Sequence, residues 1–311
     1  MRALTKLRYW LEIIKDHMNE SIGVIGLGNA GLALAGALGR HYRVHGYDQK
    51  PERMRLSQSL DIRPCVSVVE LVKNCDIIFL SLPTPEVSRA VAQSVSEVEL
   101  SGKLFVETST VDPKDVSWLL EFVQSRGASA IDAAVLGGIQ NLQEGKTTFL
   151  VGASARDYAR VQAMLEKVSK KIFYMGPAGN GMRIKLINNA VAHTTMVVLL
   201  EAVAMAAKSD IPLDVFFELM NSDAGLTRPL THRLKERAFA GQYEGGMSTA
   251  NARKDSLLAL AMAQELHVPI FTMQASHTVY EIAIQQGLAD LDYASIATLW
   301  ENWVDVSFKS E

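Results

Sequence analysis

Six residues restrict this chain more than any others: Gly26-Leu27-Gly28-Asn29-Ala30-Gly31, set between a run of strand formers, Ser21–Ile25, and the Ala/Leu-rich segment Ala30–Arg40. The spacing G-x-G-x-x-G alone says little, because glycines gather in many loops. Between a strand and a helix it becomes a structural demand. The first glycine permits a tight turn, the second lets a pyrophosphate approach the backbone, and the third lets helix and strand pack closely. The helix opening there offers unpaired N–H groups and a partial positive charge to an anion. Asp48 ends the next apolar run, 22 residues after Gly26, where a carboxylate can accept hydrogen bonds from an adenosine ribose. The spacing therefore predicts a dinucleotide site at Gly26, Leu27, Gly28, Asn29, Ala30, Gly31 and Asp48. The carboxylate would repel a 2′-phosphate, which favours NAD over NADP, although Lys50 and Arg53 stand close enough in sequence to hold that phosphate.

Further apolar runs follow at Arg43–Tyr47, Asp76–Leu82, Leu104–Glu107, Ala128–Ala133 and Thr147–Val151. Candidate helices lie between and after them, near Pro51–Ser59, Pro85–Glu97, Pro113–Arg126 and Ala155–Lys170. Strands alternating with helices specify a parallel sheet covered on both faces. The fold class is α/β: an N-terminal Rossmann-type doubly wound parallel sheet plus a C-terminal all-helical domain. Leu82-Pro83 closes the fourth strand and Ser109-Thr110 follows the fifth, and loops at these carboxyl ends face the ligand crevice of an open parallel sheet. After Tyr174 the pattern changes. Pro177-Ala178-Gly179 is turn chemistry, and beyond it only helical segments are expected, at Met182–Lys208, Pro212–Met220, Asn251–Leu266, Thr272–Gln286 and Tyr293–Val306. These readings place an N-terminal extension at 1–20, the nucleotide-binding domain at 21–178 and the helical domain at 179–311, with the helix 182–208 joining the two. The extension reads equally as a short amphipathic helix or as leader upstream of a start at Met18.

Charge and composition exclude several function classes. A formal charge of -3 gives no global attraction to nucleic acid or to an anionic membrane. Cys65 and Cys75 lack metal-ligand spacing and are too few for a disulfide framework, which favours a reducing, cytoplasmic setting. His193, His232, His267 and His277 show no metal-ligand spacing either, so no metal site is expected. The most apolar stretch, Ala190–Ala207, is interrupted by His193, Thr194, Thr195 and Glu201. It is expected as a buried helix rather than a membrane span.

Four segments in order resemble the β-hydroxyacid dehydrogenase family. The first is Gly23-Val24-Ile25-Gly26-Leu27-Gly28-Asn29-Ala30-Gly31. The second, Asp132-Ala133-Ala134-Val135-Leu136-Gly137-Gly138, resembles that family's substrate motif D-x-P-V-S-G-G. The third, Gly179-Asn180-Gly181-Met182-Arg183-Ile184-Lys185-Leu186-Ile187-Asn188-Asn189, resembles G-x-G-x-x-x-K-x-x-N-N. The fourth, Lys254-Asp255-Ser256-Leu257-Leu258-Ala259-Leu260-Ala261, resembles the cofactor segment K-D-L-x-L-A. The resemblance spans about residues 21–305.

The resemblance implies that Lys185 is the catalytic residue, with Asn189 one helical turn on holding Lys185 or the substrate, and Asn188 facing elsewhere. Reduction of a carbonyl builds negative charge on oxygen, and a positioned ammonium can stabilise it and donate a proton. It also implies that Leu136, Gly137 and Gly138 meet the substrate and that Lys254, oriented by Asp255, lies over the nicotinamide half of the cofactor. Leu136 departs from the family's serine or threonine and cannot supply a hydroxyl hydrogen bond. The implied activity is NAD-dependent interconversion of a small β-hydroxy acid and its semialdehyde or keto acid. A catalytically silent dinucleotide-binding protein is the rival from another class, and an imine reductase the rival within enzymes. The long apolar helix suggests a homodimer or homotetramer.

Overall fold

Strands covered on both faces need nearly unbroken apolar runs, and the chain supplies them. Ile22–Ile25 (β1), Ile77–Leu80 (β4) and Leu104–Glu107 (β5) are buried at every position, including the carboxyl-bearing Glu107. The computed structural model describes residues 20–309, so the expectation for the segment before Glu20 lies outside it. The other strands are Val44–Tyr47 (β2), Arg63–Pro64 (β3), Ser129–Leu136 (β6), Thr147–Gly152 (β7) and Ser169–Tyr174 (β8). They form one sheet in the order β3-β2-β1-β4-β5-β6-β7-β8. All neighbours run parallel except β6 and β7, which pair antiparallel. The expected all-parallel sheet is corrected there. Only the short helix Ile139–Gln143 separates β6 from β7, too little chain for a parallel crossover.

The chain order reverses at β1, which lies between β2 and β4. That is the switch point at which the carboxyl ends of a doubly wound sheet open a crevice. Helix Asn29–Gly39 (α1) and helix Ala155–Lys167 pack on one face through Leu34, Leu38, Val161 and Leu165. Helices Val68–Asn74, Pro85–Ser94 and Pro113–Gln124 cover the other through Leu71, Ala92, Leu119 and Val123. Their starts are written locally: Ser67, Thr84 and Asp112 each accept a backbone N–H from the first turn, and Pro85 and Pro113 follow two of them. Two strands escaped the sequence reading. β3 has two residues, and β8 (SKKIFY) is mostly exposed and carries two lysines, so neither shows an apolar run.

The chain divides into two compact units, Met1–Asn189 and Ala190–Glu311. The division falls inside the long helix Asn180–Lys208 (α8). The second unit holds the rest of α8, then Leu213–Asn221, Pro229–Ala238, Thr249–Glu265 (α10), Thr272–Gln285 (α11) and Ala297–Val304. Its small core joins Met205, Ala263 and Val268. Buried Glu201 accepts the N–H groups of Phe271, Thr272 and Met273, capping α11 from α8.

The expectation of a buried apolar helix is overturned. By length and composition α8 is the one described helix that could cross a membrane, and only 17% of its most apolar window is buried. Ile187, Val191, Met196, Val197 and Leu200 are exposed. Only the last turns, at Ala204 and Met205, join the small core. Hydrophobic composition predicts that a face will be covered; it does not say that the same chain covers it.

Candidate active site

The glycine loop turns where the sequence requires. Gly26 has φ +90°, and a Cβ there would collide with the Ser81 carbonyl. Beside Gly28 nothing of the protein lies within 4 Å of where a Cβ would stand. Helix α1 begins with no side-chain cap and no acidic residue in its first turn. Its N–H groups and its positive end are thus left for an anion. A cavity of about 360 Å³ opens here, lined by Gly26, Gly28, Asn29, Ala30 and Gly31, by Asp48, Lys50 and Arg53, and by Leu82 and Pro83. The residues present therefore fit a dinucleotide. Leu27 is the exception among the expected contacts: its side chain is in the core and its N–H is donated to Asp48 Oδ2 at 2.7 Å. The other oxygen, Oδ1, accepts the Lys50 N–H at 2.9 Å. Asp48 thus ties the glycine loop to the end of β2 and still has lone pairs for ribose hydroxyls.

A second cavity of about 290 Å³ adjoins the first, sharing Ala30, Ser81 and Leu82. It is lined by Thr108, Ser109 and Thr110 after β5 and by Val135, Gly137 and Gly138 at the end of β6. Ser109 Oγ accepts the Leu82 N–H at 2.8 Å, joining the ends of β4 and β5. Gly137 and Gly138 line this cavity, whereas the Leu136 side chain does not. Side chains alternate across a strand, so Val135 faces the cavity and Leu136 packs with Ala134, Met182 and Ile184 on the other face.

Lys185 comes to this end of β6 through a contact that the sequence did not disclose. Asp132, fully buried, accepts the N–H of Gly179 with Oδ1 and of Met182 with Oδ2, each at 2.6 Å. These are N–H groups at the start of α8 that have no partner within the helix. Burial pushes the Asp132 carboxyl up to about 6, against the pull of the two N–H groups. The approach is close enough that a Cβ on Gly181 would stand 2.7 Å from Asp132 Oδ2. Three residues further along each element, Lys185 Nζ donates to the Val135 carbonyl at 2.7 Å. Burial holds the Lys185 ammonium below the usual lysine range. Asn189 lies half-buried one turn on and makes no hydrogen bond with Lys185, and Asn188 is exposed. Lys254 stands on α10 in the second unit, exposed and paired with Asp255 at 3.0 Å.

Sequence reasoning passed over Asp132 and Glu107 as functional positions. Asp132 was visible as the first residue of a motif, but nothing in the sequence said what its carboxylate would bind. The Val135 carbonyl leaves no trace in residue identity at all.

Residues 21–176 match the NAD binding domain of 6-phosphogluconate dehydrogenase, and residues 179–300 match the NAD-binding domain of NADP-dependent 3-hydroxyisobutyrate dehydrogenase. The chain is 30% identical over 292 residues to mitochondrial 3-hydroxyisobutyrate dehydrogenase of Drosophila melanogaster, covering 90% of this chain and 89% of that one. It is 26% identical to 2-(hydroxymethyl)glutarate dehydrogenase of Eubacterium barkeri, covering 92% and 96%. An imine reductase from Pseudomonas sp. shares the fold, with a TM-score of 0.82 at 20% identity over 90% of this chain and 99% of that one. Full-length likeness of this kind, together with an uncapped glycine-loop helix and a desolvated lysine at the end of β6, makes this chain a member of the β-hydroxyacid dehydrogenase family, with a nicotinamide dinucleotide as its cofactor.

Proposed function

We propose that this protein is an NAD-dependent dehydrogenase of a small β-hydroxy acid. The observation that carries the reading is Lys185, desolvated and held 2.7 Å from the carbonyl of Val135, which itself lines the second cavity. When bound, the cofactor supplies the hydride acceptor or donor at its nicotinamide ring. This chain's residues manage the rest. The N–H groups of Gly137 and Gly138 meet the substrate carboxylate. In the oxidative direction Lys185, as the free amine, takes the hydroxyl proton while the hydride leaves carbon. In reduction the ammonium returns that proton to the carbonyl oxygen. Burial of Lys185 favours the amine form that the oxidative step needs. Asn189, without a partner on Lys185, is free to orient the substrate.

A second reading rests on the fold alone, which is shared with an imine reductase. Purified protein assayed by NADH absorbance against β-hydroxy acids, semialdehydes and cyclic imines separates these readings. Turnover of the acids supports the dehydrogenase, and turnover of imines alone replaces it. Binding of the cofactor without turnover of any compound leaves the silent binder.

For the cofactor, Asp48 is expected to make NADH bind at least about tenfold more tightly than NADPH, because a 2′-phosphate would meet its fixed negative charge. Fluorescence titration of both reduced cofactors measures the ratio. Equal or tighter NADPH binding would mean that Lys50 and Arg53, which line the same cavity, govern the ribose end.

The uncovered apolar residues of α8 support assembly with a second copy of the chain, since Val191, Met196, Val197 and Leu200 are exposed around several turns of the helix. Sedimentation at micromolar concentration is expected to give a dimer or tetramer. A monomer whose Leu200→Glu variant is equally soluble would remove this reading.

A further inference from the structure

β5 ends in a carboxylic acid where a strand buried on both faces should have an apolar residue. Glu107 is 2% exposed. Its register partners are Leu80 on β4 and Asp132 on β6. It is not a leftover surface charge: Glu107 Oε1 accepts the N–H of Ser109 at 2.9 Å, and Ser109 Oγ in turn accepts the N–H of Leu82 at 2.8 Å. This two-step chain runs from the buried end of β5 to residues that line both cavities. Ser109 lines the second, and Leu82 lines the first and the second.

We propose that Glu107 is the positioning residue of the cofactor cleft: its ionised carboxylate holds Ser109, and through Ser109 the Leu82 backbone, in the arrangement that receives the nicotinamide cofactor. The inference rests on the cofactor site and not on the identity of the substrate.

Charge makes Glu107 a strong acceptor and also a costly one. Burial pushes the carboxyl up to about 7, while the Ser109 and Ser88 groups beside it pull it down. The charged groups facing it are few. Asp115 of the helix Pro113–Gln124 raises it further and is itself bound by Arg89 of the helix Pro85–Ser94. On the β6 side stands Asp132, with Arg183 beyond it.

An acid whose folded-state value lies above its ordinary one binds extra protons when folded, so stability is lost as pH rises through the interval from the ordinary carboxylate value to about 7. At pH 8 the ionised Glu107 therefore works against folding while strengthening the Ser109 bond.

The test uses the full chain and whichever of NADH and NADPH binds the wild type more tightly. Affinity is read by fluorescence between pH 6 and 8.5, and melting temperature is followed over the same range. Glu107→Gln keeps the shape and one acceptor oxygen but cannot ionise. Expected for the wild type is binding about three- to tenfold weaker at pH 6 than at pH 8, as the acceptor loses its charge. Glu107→Gln is expected to bind at pH 8 about as weakly as the wild type does at pH 6, to show no such pH dependence, and to melt at the same or a higher temperature. Ser109→Ala breaks the chain one step on and leaves Glu107 titratable. It is expected to weaken binding at pH 8 and to flatten the pH dependence to less than about twofold, which keeps the proposal testable if the glutamine variant does not fold. Wild-type affinity in Glu107→Gln at pH 8 overturns the proposal. So does a pH dependence that survives the substitution, which would belong to Asp132. Wild-type protein that binds neither cofactor overturns it together with the cofactor assignment. Absence of turnover on every substrate, with the binding pattern intact, would count against the dehydrogenase reading alone.

Discussion

Lys185→Ala is expected to lower turnover by about 10²–10⁴-fold, the usual scale for loss of a general acid–base, with cofactor affinity nearly unchanged. The amine reaches the end of β6 and not the glycine loop, so its loss should fall on the chemical step. Because proton transfer is made in the transition state, kcat and kcat/KM should drop together. The rising, acid-side limb of the oxidative pH profile, set in the wild type below the usual lysine range by burial, should vanish with the residue. Single-turnover mixing of enzyme, cofactor and the best substrate from the panel measures all three. A variant that turned over at near-normal speed would show that the proton moves by another route, with Lys185 only bracing the Val135 carbonyl.

Asp132→Ala is expected to lower stability by about 2–4 kcal/mol and turnover by about 10–100-fold. The substitution leaves the N–H groups of Gly179 and Met182 without acceptors in a buried site, at about 1–3 kcal/mol each, and relief of the buried charge offsets part of this. For a unit of this size the melting temperature should fall by roughly 5–15 °C. The kinetic effect has a separate cause. With α8 no longer fixed to β6, Lys185 loses its placement over Val135, and misplacement of a catalytic group by about 1 Å can cost 10²-fold. Asp132→Asn, which can accept one of the two N–H groups and turns a donor toward the other, should fall between. A variant with wild-type melting temperature and turnover would show that α8 is held by its apolar contacts at Met182 and Ile184 alone.

The sequence by itself determined the elements whose reasons are local. Gly26, Gly28 and Gly31 sit between a strand and a helix, and Asp48 closes the next strand, so the glycine turn followed from spacing. Apolar runs of four to eight residues alternating with capped helices determined a doubly wound sheet. These features depend on residues a few positions apart, and side-chain identity carries them.

Tertiary structure decided the rest. Asp132 meets Gly179 and Met182 across separations of 47 and 50 residues, and what it binds is backbone, which every residue has. Lys185 likewise finds the Val135 carbonyl 50 residues away. Whether Glu107 is a solvated strand end or a buried acid depends on the helices that close over it. The opposite outcome holds for α8, whose stretch Ala190–Ala207 read as core, although Val191, Met196, Val197 and Leu200 are exposed. The antiparallel turn of β6 into β7 and the pairing of lysine-bearing β8 were also set by which edges met. Local pattern specifies what each segment can bury or accept. Only the packed sheet fixes which donor, acceptor or face it is given.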